Sequence, residues 1–353
     1  MSVEHREPST ARTGPPSWAA RSLVWRGGQV LGTDVAAPEL TAALSAGRET
    51  HAWWCVPREA GATLRATAEF LELDALAVED IIGPREYPKV DTIGETVLIV
   101  GAAASFDDAA AALHIEGVSI LATRQVLVLV ADEGPLSELV PVLQQCAPRL
   151  MTEGIAGGIH ALIDALVDGY TEALEAMEEA TENLTASLFA DRPLARADQL
   201  RAFRLRQALV HLRKVCTPMQ EVTGELARAA LRPADEPSSD PVDALLATGT
   251  ARRFADVADH ARHTAEGTNG LRDVLASAFE TNLALADVHL NMIMKKLSAW
   301  AAIIAVPTLV TGFMGMNVPY PGFGQGPGFA VAFVVMISAV VTLYVLFRRS
   351  DWL

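Results

Sequence analysis

The chain has 353 residues and a formal charge of −15, long enough for about two or three domains and too acidic for a nucleic-acid partner, which needs a basic face. The negative charge lies before Leu290, because the segment after it carries Lys295, Lys296, Arg348 and Arg349 against Asp351 alone. Such a body suits the attraction of cations.

In chain order, the first 17 residues are polar and Pro-rich with no apolar h-region. This composition predicts a disordered N-terminus rather than a signal peptide. Residues 18–150 read as a cytoplasmic α/β domain. Strand-like runs cover Ser22–Leu31, His51–Val56, Thr96–Ala102, Gly117–Ala122 and Gln125–Ala131, and helix-like stretches cover Ala60–Leu71 and Leu136–Cys146. Arg124-Gln125 fits a tight turn between antiparallel strands. Trp18, Trp25, Trp53 and Trp54 fall in or before this sheet as packing residues.

From residue 151 to 296 the pattern is helical. Ile159–Phe189 and Asp198–Leu231 are two helical runs broken at Arg192-Pro193, and a Pro/Ser/Asp-rich loop follows at Arg232–Pro241. A third run starts near Asp243 and meets no proline until Pro307. Its 60–70 residues would span on the order of 100 Å at 1.5 Å per residue, which predicts a stalk continuing into a membrane. Residues 297–353 form the predicted two-helix membrane domain. Leu297–Met314 and Phe329–Phe347 are uncharged and about long enough to cross a bilayer core, which takes roughly 17–25 helical residues. The four basic residues flank the two runs, and the loop Gly315–Gly328 has no charge. Both termini are therefore expected on the cytoplasmic side of a cell membrane. Trp300 and Trp352 fit interface anchors.

The segment that leads into and through the first span carries a stripe of polar and small residues at steps of four and three: Asp287, Asn291, Met294, Ser298, Ala301, Ala305, Thr308 and Gly312. Such a stripe serves either as a helix–helix seam or as the wall of a water path. The tripeptide Gly315-Met316-Asn317 follows where the span exits. Magnesium sheds its water reluctantly and prefers oxygen ligands, so a symmetric ring of asparagine amides and nearby carbonyls would hold the hydrated ion through its waters. Read alone, Gly315 is equally a helix C-cap and Asn317 a boundary residue.

These residues resemble the CorA family of magnesium/cobalt transporters, with its ZntB-type zinc relatives. The resemblance extends beyond the signature to LNMIMKKL (290–297), PTLVTGFMGMN (307–317), the tail RRSDWL (348–353), LAVEDII (76–82) with PKV (88–90), IDALVD (163–168), LVHLRK (209–214) and DVADH (256–260). It implies an α+β membrane protein built as a homopentameric funnel, with a long stalk helix continuing into the first of two C-terminal spans. It implies that Asn291, Met294, Leu297, Thr308 and Gly312 line or gate a pore, with Gly315, Met316 and Asn317 as selectivity filter. It further implies regulatory Mg2+ at Asp80, beside Glu79, and Asp256 of neighbouring subunits, in addition to the transported Mg2+. The expected partners are the bilayer, divalent cations and other copies of the chain. The chain departs from the family in having Met314 where an aromatic residue is common, and in lacking an acidic stretch in the loop.

No P-loop, Gly-rich nucleotide fingerprint or nucleophile elbow is present, so neither an enzyme nor a nucleotide-driven pump is expected. The cysteines Cys55, Cys146 and Cys216 lack metal spacing and are expected as reduced thiols. His260 and His263, three apart, would share a helix face but complete no tetrahedral zinc set. Influx of Mg2+, with Co2+ or Ni2+ as further cargo, is the leading expectation. A zinc transporter on the same scaffold and a non-conducting metal sensor stay open.

Overall fold

The computed structural model describes residues 22–68, 71, 73–82, 87–188, 196–232, 240–246, 249–316 and 326–353. The expected disordered N-terminus lies outside the described residues. Seven strands form one sheet in the order β2-β1-β3-β7-β6-β5-β4. They are β1 (Ser22–Arg26), β2 (Gln29–Thr33), β3 (Thr50–Pro57), β4 (Lys89–Ile93), β5 (Thr96–Asp107), β6 (Ala112–Ala122) and β7 (Val126–Ala131). All neighbours are antiparallel except β3 and β7.

The single expected run Ser22–Leu31 is two strands, because Gly27 and Gly28 both have positive φ (52° and 80°). Two consecutive residues of that kind make the tight hairpin whose twist matches paired strands. The turn at Arg124-Gln125 joins β6 to β7 as expected, closed by Thr123 N–H donating to Val126 O at 2.8 Å. β4 lies outside the expected strand-like runs. It is a short edge strand that pairs with β5 across Gly94, whose φ is 61°.

β7 is buried along its whole length, as are the first seven residues of β5. Strands covered on both faces read as continuous apolar runs, and two helical layers supply the cover. On one face Val24, Trp54, Val56, Leu98, Leu121 and Val128 share a cluster with Leu40 and Leu44 of α1 (Ala37–Ser45), Leu64 of α2 (Gly61–Ala68), and Ala77, Val78 and Ile81 of α3 (Ala75–Ile82). On the other face lie α6 (Ile155–Leu188) and α7 (Arg196–Ala230). A Cβ at Gly101 of β5 would stand 2.9 Å from Leu166 Cδ1 of α6 and 3.0 Å from Met219 Cε of α7. Tyr170 of α6 donates its hydroxyl to Ala102 O at 2.6 Å. The connecting helices are α4 (Glu133–Gln145), α5 (Ala147–Glu153) and α8 (Pro241–Leu246).

The long Pro-free run breaks at Gly249, whose φ of 80° cannot continue a right-handed helix. The stalk helix therefore starts later than expected, as α9 (Ala251–Met314), and it continues through Pro307 into the first apolar run as expected. The last helix is α10 (Gly326–Arg349). The chain divides into two units, Met1–Ser187 with Leu194–Leu275, and Leu188–Pro193 with Ala276–Leu353. In the first unit α9 buries Phe254, Val257, Ala261, Ala265 and Leu275. It also joins α6 through a hydroxyl–hydroxyl bond of 2.8 Å between Thr264 and Thr171. Cys55, Cys146 and Cys216 are buried thiols. Burial pushes the Cys146 thiol up to about 11 and Cys216 up to about 12, so neither is a reactive thiolate at neutral pH.

Candidate functional site

The second unit is built unlike the first. α10 has no buried residue, although its sequence is almost wholly apolar. Phe329, Val331 and Val334 are each more than 60% exposed. In water such a helix would forfeit most of its hydrophobic stabilisation. With the apolar second half of α9 it forms a pair of helices long and apolar enough to cross a membrane.

Asn291, Met294, Leu297, Thr308 and Gly312 all sit on α9 and all are exposed. An open groove of roughly 910 Å³ runs beside Ala301, Ala305, Thr308 and Gly312, four members of the small and polar stripe. A Cβ added at Gly312 would meet nothing within 4 Å. Local bonds shape the exit of the helix. Pro307 lacks an N–H and leaves the carbonyl of Ile303 without its helical donor. The Thr308 hydroxyl donates to Ile304 O at 3.0 Å, and the Thr311 hydroxyl to Pro307 O at 2.8 Å. Gly315 N–H donates to Thr311 O at 2.9 Å and ends the helix. A Cβ there would lie 3.3 Å from that same carbonyl, so the close turn favours glycine. Met316 follows, exposed. Asn317 lies outside the described residues.

In the first unit, Glu79 and Asp80 are on the outer side of α3, opposite the buried Ala77, Val78 and Ile81. The helix is held firmly. Asp74 caps its start by accepting Leu76 N–H at 2.8 Å. Arg58 receives its end, donating to Ile81 O at 2.6 Å and to Gly117 O at 3.0 Å. Lys89 Nζ stands 3.7 Å from Asp80 and 2.6 Å from Asp91. Asp256 is exposed on α9. Within one chain, Asp80 and Asp256 sit on separate elements.

The fold also gathers three groups that are far apart in sequence. Ligand atoms of Asp164, Asp168 and His260 lie within 4.8 Å of one another, in an arrangement able to hold a metal ion. The two aspartates are i,i+4 on α6 and the histidine comes from α9. His263 does not join them; its Nε2 is 3.3 Å from Asp259. Partial desolvation, then the Asp164 charge, raise the Asp168 carboxyl above the usual range, with His260 offsetting and Glu172 adding to it. A bound cation would relieve that repulsion. Two carboxylates with one imidazole suit Co2+, Ni2+ or Zn2+ in addition to Mg2+. One turn earlier, His160 is 6% exposed and packs edge-on against Phe254 with ring centroids 5.5 Å apart. Its Nδ1 is buried without a hydrogen-bond partner. Burial holds its pKa below the ordinary value, against the pull of Asp164. The i,i+4 spacing of Asp164 and Asp168 was visible in sequence, whereas the approach of His260 depends on how α9 packs against α6.

Comparison with known proteins identifies the family and the fold. The model of the CorA-like Mg2+ transporter protein family matches residues 49–349. The cobalt/magnesium transport protein CorA of Thermotoga maritima is 27% identical over 296 residues, 82% of this chain and 80% of that protein. The cobalt/magnesium transport protein CorA of Methanocaldococcus jannaschii is 36% identical over 83 residues, 23% of this chain and 26% of that one. The complete structure of the CorA magnesium transporter from M. jannaschii shares the fold at a TM-score of 0.72 and 20% identity, covering 94% of this chain and 98% of that one. The full-length CmaX protein does so at 0.69 and 19%, covering 93% and 96%. The family is one of transporters for divalent cations and not of enzymes. With the family model spanning nearly all of the described structure, the chain belongs to the CorA-like Mg2+ transporter family.

Proposed function

We propose that this chain assembles as a homopentamer in the cell membrane and passes Mg2+ into the cytosol. The observation that carries the reading is the exposed face of α9 bearing Asn291, Thr308 and Gly312, with an open, largely apolar groove beside it and Gly-Met-Asn following in the sequence. One pair of helices is too small to enclose a water path, so the face needs further copies of itself; five is the number that the family resemblance implies. Asn317 and the carbonyls near Gly315 and Met316 recognise the hydrated ion. Asn291 and Thr308 offer oxygens along the path. Met294 and Leu297 form apolar constrictions that close by dewetting. Both termini are cytoplasmic. The membrane potential drives uptake, since a divalent ion gains roughly 4.6 kcal/mol per 100 mV.

Cytosolic cation closes the path. Asp80, with Glu79 beside it, and Asp256 of a neighbouring copy share Mg2+ and hold the ring in its closed arrangement; loss of the ion leaves like charges opposed. The Asp164, Asp168 and His260 group adds a second place where a cation pins α6 to α9, and its imidazole favours Co2+ as further cargo or effector. Uptake into proteoliposomes holding a Mg2+-sensitive dye tests the reading, with low Mg2+ on the face bearing the regulatory sites. Wild-type uptake that is lost in Asn317→Ala supports it. Absence of Mg2+ uptake by folded wild-type protein overturns it, in favour of Zn2+ transport if Zn2+ enters under a proton gradient, or of a non-conducting sensor if nothing does.

A further inference from the structure

Asp80 already has a cation beside it. Lys89 extends from the edge strand β4 and places its ammonium between two carboxylates, 3.7 Å from Asp80 Oδ2 and 2.6 Å from Asp91 Oδ2. Asp91 is two residues further along β4, on the same face of the strand as Lys89. The lysine side chain is 31% exposed and both aspartates 45%, so the group is wet enough for ions to exchange. Arg58 and Asp74 fix both ends of α3, and therefore the position of Asp80 relative to the sheet.

We infer that Lys89 is a resident counter-cation that competes with the divalent ion for Asp80, and that Asp91 is where its ammonium rests when the ion is bound. The inference depends on the reading of Asp80 as a cation ligand. A divalent ion arriving at Asp80 repels the ammonium 3.7 Å away. Asp91, already closer, takes the lysine without a large rearrangement. The pair thus sets the concentration at which cytosolic Mg2+ closes the ring. Lys89 lowers the affinity of Asp80 and Asp91 restores part of it by drawing Lys89 aside. The two charges have opposite effects on binding, and the effect of Asp91 passes through Lys89.

The test is a Mg2+ titration of the thermal unfolding midpoint of the full-length protein in nanodiscs, read as the Mg2+ concentration giving half of the stabilisation. Lys89→Met is expected to lower that concentration about three- to tenfold, the size of a like-charge effect at a half-exposed site. Lys89→Arg, which keeps the charge, is expected to stay within about twofold of wild type. Asp91→Asn is expected to raise the concentration in the wild-type background and to have less than about half that effect in the Lys89→Met background, as coupled neighbours do. The unfolding midpoint without Mg2+ shows that each variant is folded, and Lys89→Gln replaces Lys89→Met if it is not. An unchanged or weakened response in the neutral Lys89 variant overturns the inference, as does an Asp91→Asn effect of equal size in both backgrounds. Asp80→Asn separates the two levels: if it leaves the Mg2+ response intact, the reading of Asp80 itself falls and the competition falls with it.

Discussion

Gly101 and Gly312 show how differently the two units are constructed. A side chain at Gly101 would collide with Leu166 and Met219, because that part of the sheet is filled by the chain's own α6 and α7. A side chain at Gly312 would meet nothing. The first unit buries a large apolar core of its own, although Leu76, Phe203 and Leu231 remain exposed. The second leaves the apolar faces of α9 and α10 exposed. A glycine in a filled interior answers to stability, whereas a glycine on an open helix face within a membrane span answers to what approaches from outside. The contrast explains how one helix, α9, can hold a buried core position at Phe254 and an open stripe at Thr308.

The contrast can be tested by substitution. Gly101→Val forces a shift of Leu166 and Met219 and should cost the first unit about 3 kcal/mol, the upper part of the overpacking range. Its thermal midpoint should fall accordingly, and an unchanged midpoint would show that α6 and α7 do not fill the sheet face. Tyr170→Phe removes the hydroxyl that donates to Ala102 O and should cost about 1–2 kcal/mol, measured by the same melts. A smaller effect follows from His160. Its pKa in the fold lies below the ordinary 6.5, so the unfolded chain binds the proton more readily. This contribution to stability is present above about pH 6.5 and is lost as pH falls through the folded value. The charged groups around it are Asp164 on its own helix, Arg253 of α9 and Arg149 of α5, with Arg253 paired to Glu153 at 3.0 Å. His160→Leu should flatten the acid side of the stability profile, and a profile of unchanged slope would remove His160 as its source. The smallest effect concerns Asp168, whose pKa is raised. Stability from this group is present at low pH and lost as pH rises through the folded value, so Asp168→Asn should stabilise the cation-free protein by less than about 1 kcal/mol. It should also weaken the stabilisation by Co2+, and full retention of that response would dismiss the Asp164, Asp168 and His260 group as a cation site.

Much of the architecture was legible because its signals are local. Two uncharged apolar runs, alternation giving way to helical spacing, and Gly-Met-Asn after a span are all read from adjacent residues. The misses are equally physical. β4 is five residues long, and its partner β5 decides it, not its own sequence. The break at Gly249 rests on one positive φ in a segment otherwise free of breakers. The cation-ligand candidates split in the same way. Asp80 and Asp256 were found by resemblance, while the Asp164, Asp168 and His260 group needs the packing of α6 on α9, which no single segment encodes. The ion pairs of Lys89 join α3 to an edge strand that the sequence did not reveal.

The central claim is that the open face of α9 lines the path of the ion. It is tested most directly by Gly312→Leu in proteoliposomes, with Mg2+ uptake under an inside-negative potential measured beside the thermal midpoint of the same preparation. The account predicts a midpoint close to that of wild type, since the space beside Gly312 is empty within the chain, and a loss of uptake of roughly tenfold or more as the leucines crowd the path. Wild-type uptake in folded Gly312→Leu would contradict it and assign that face to lipid.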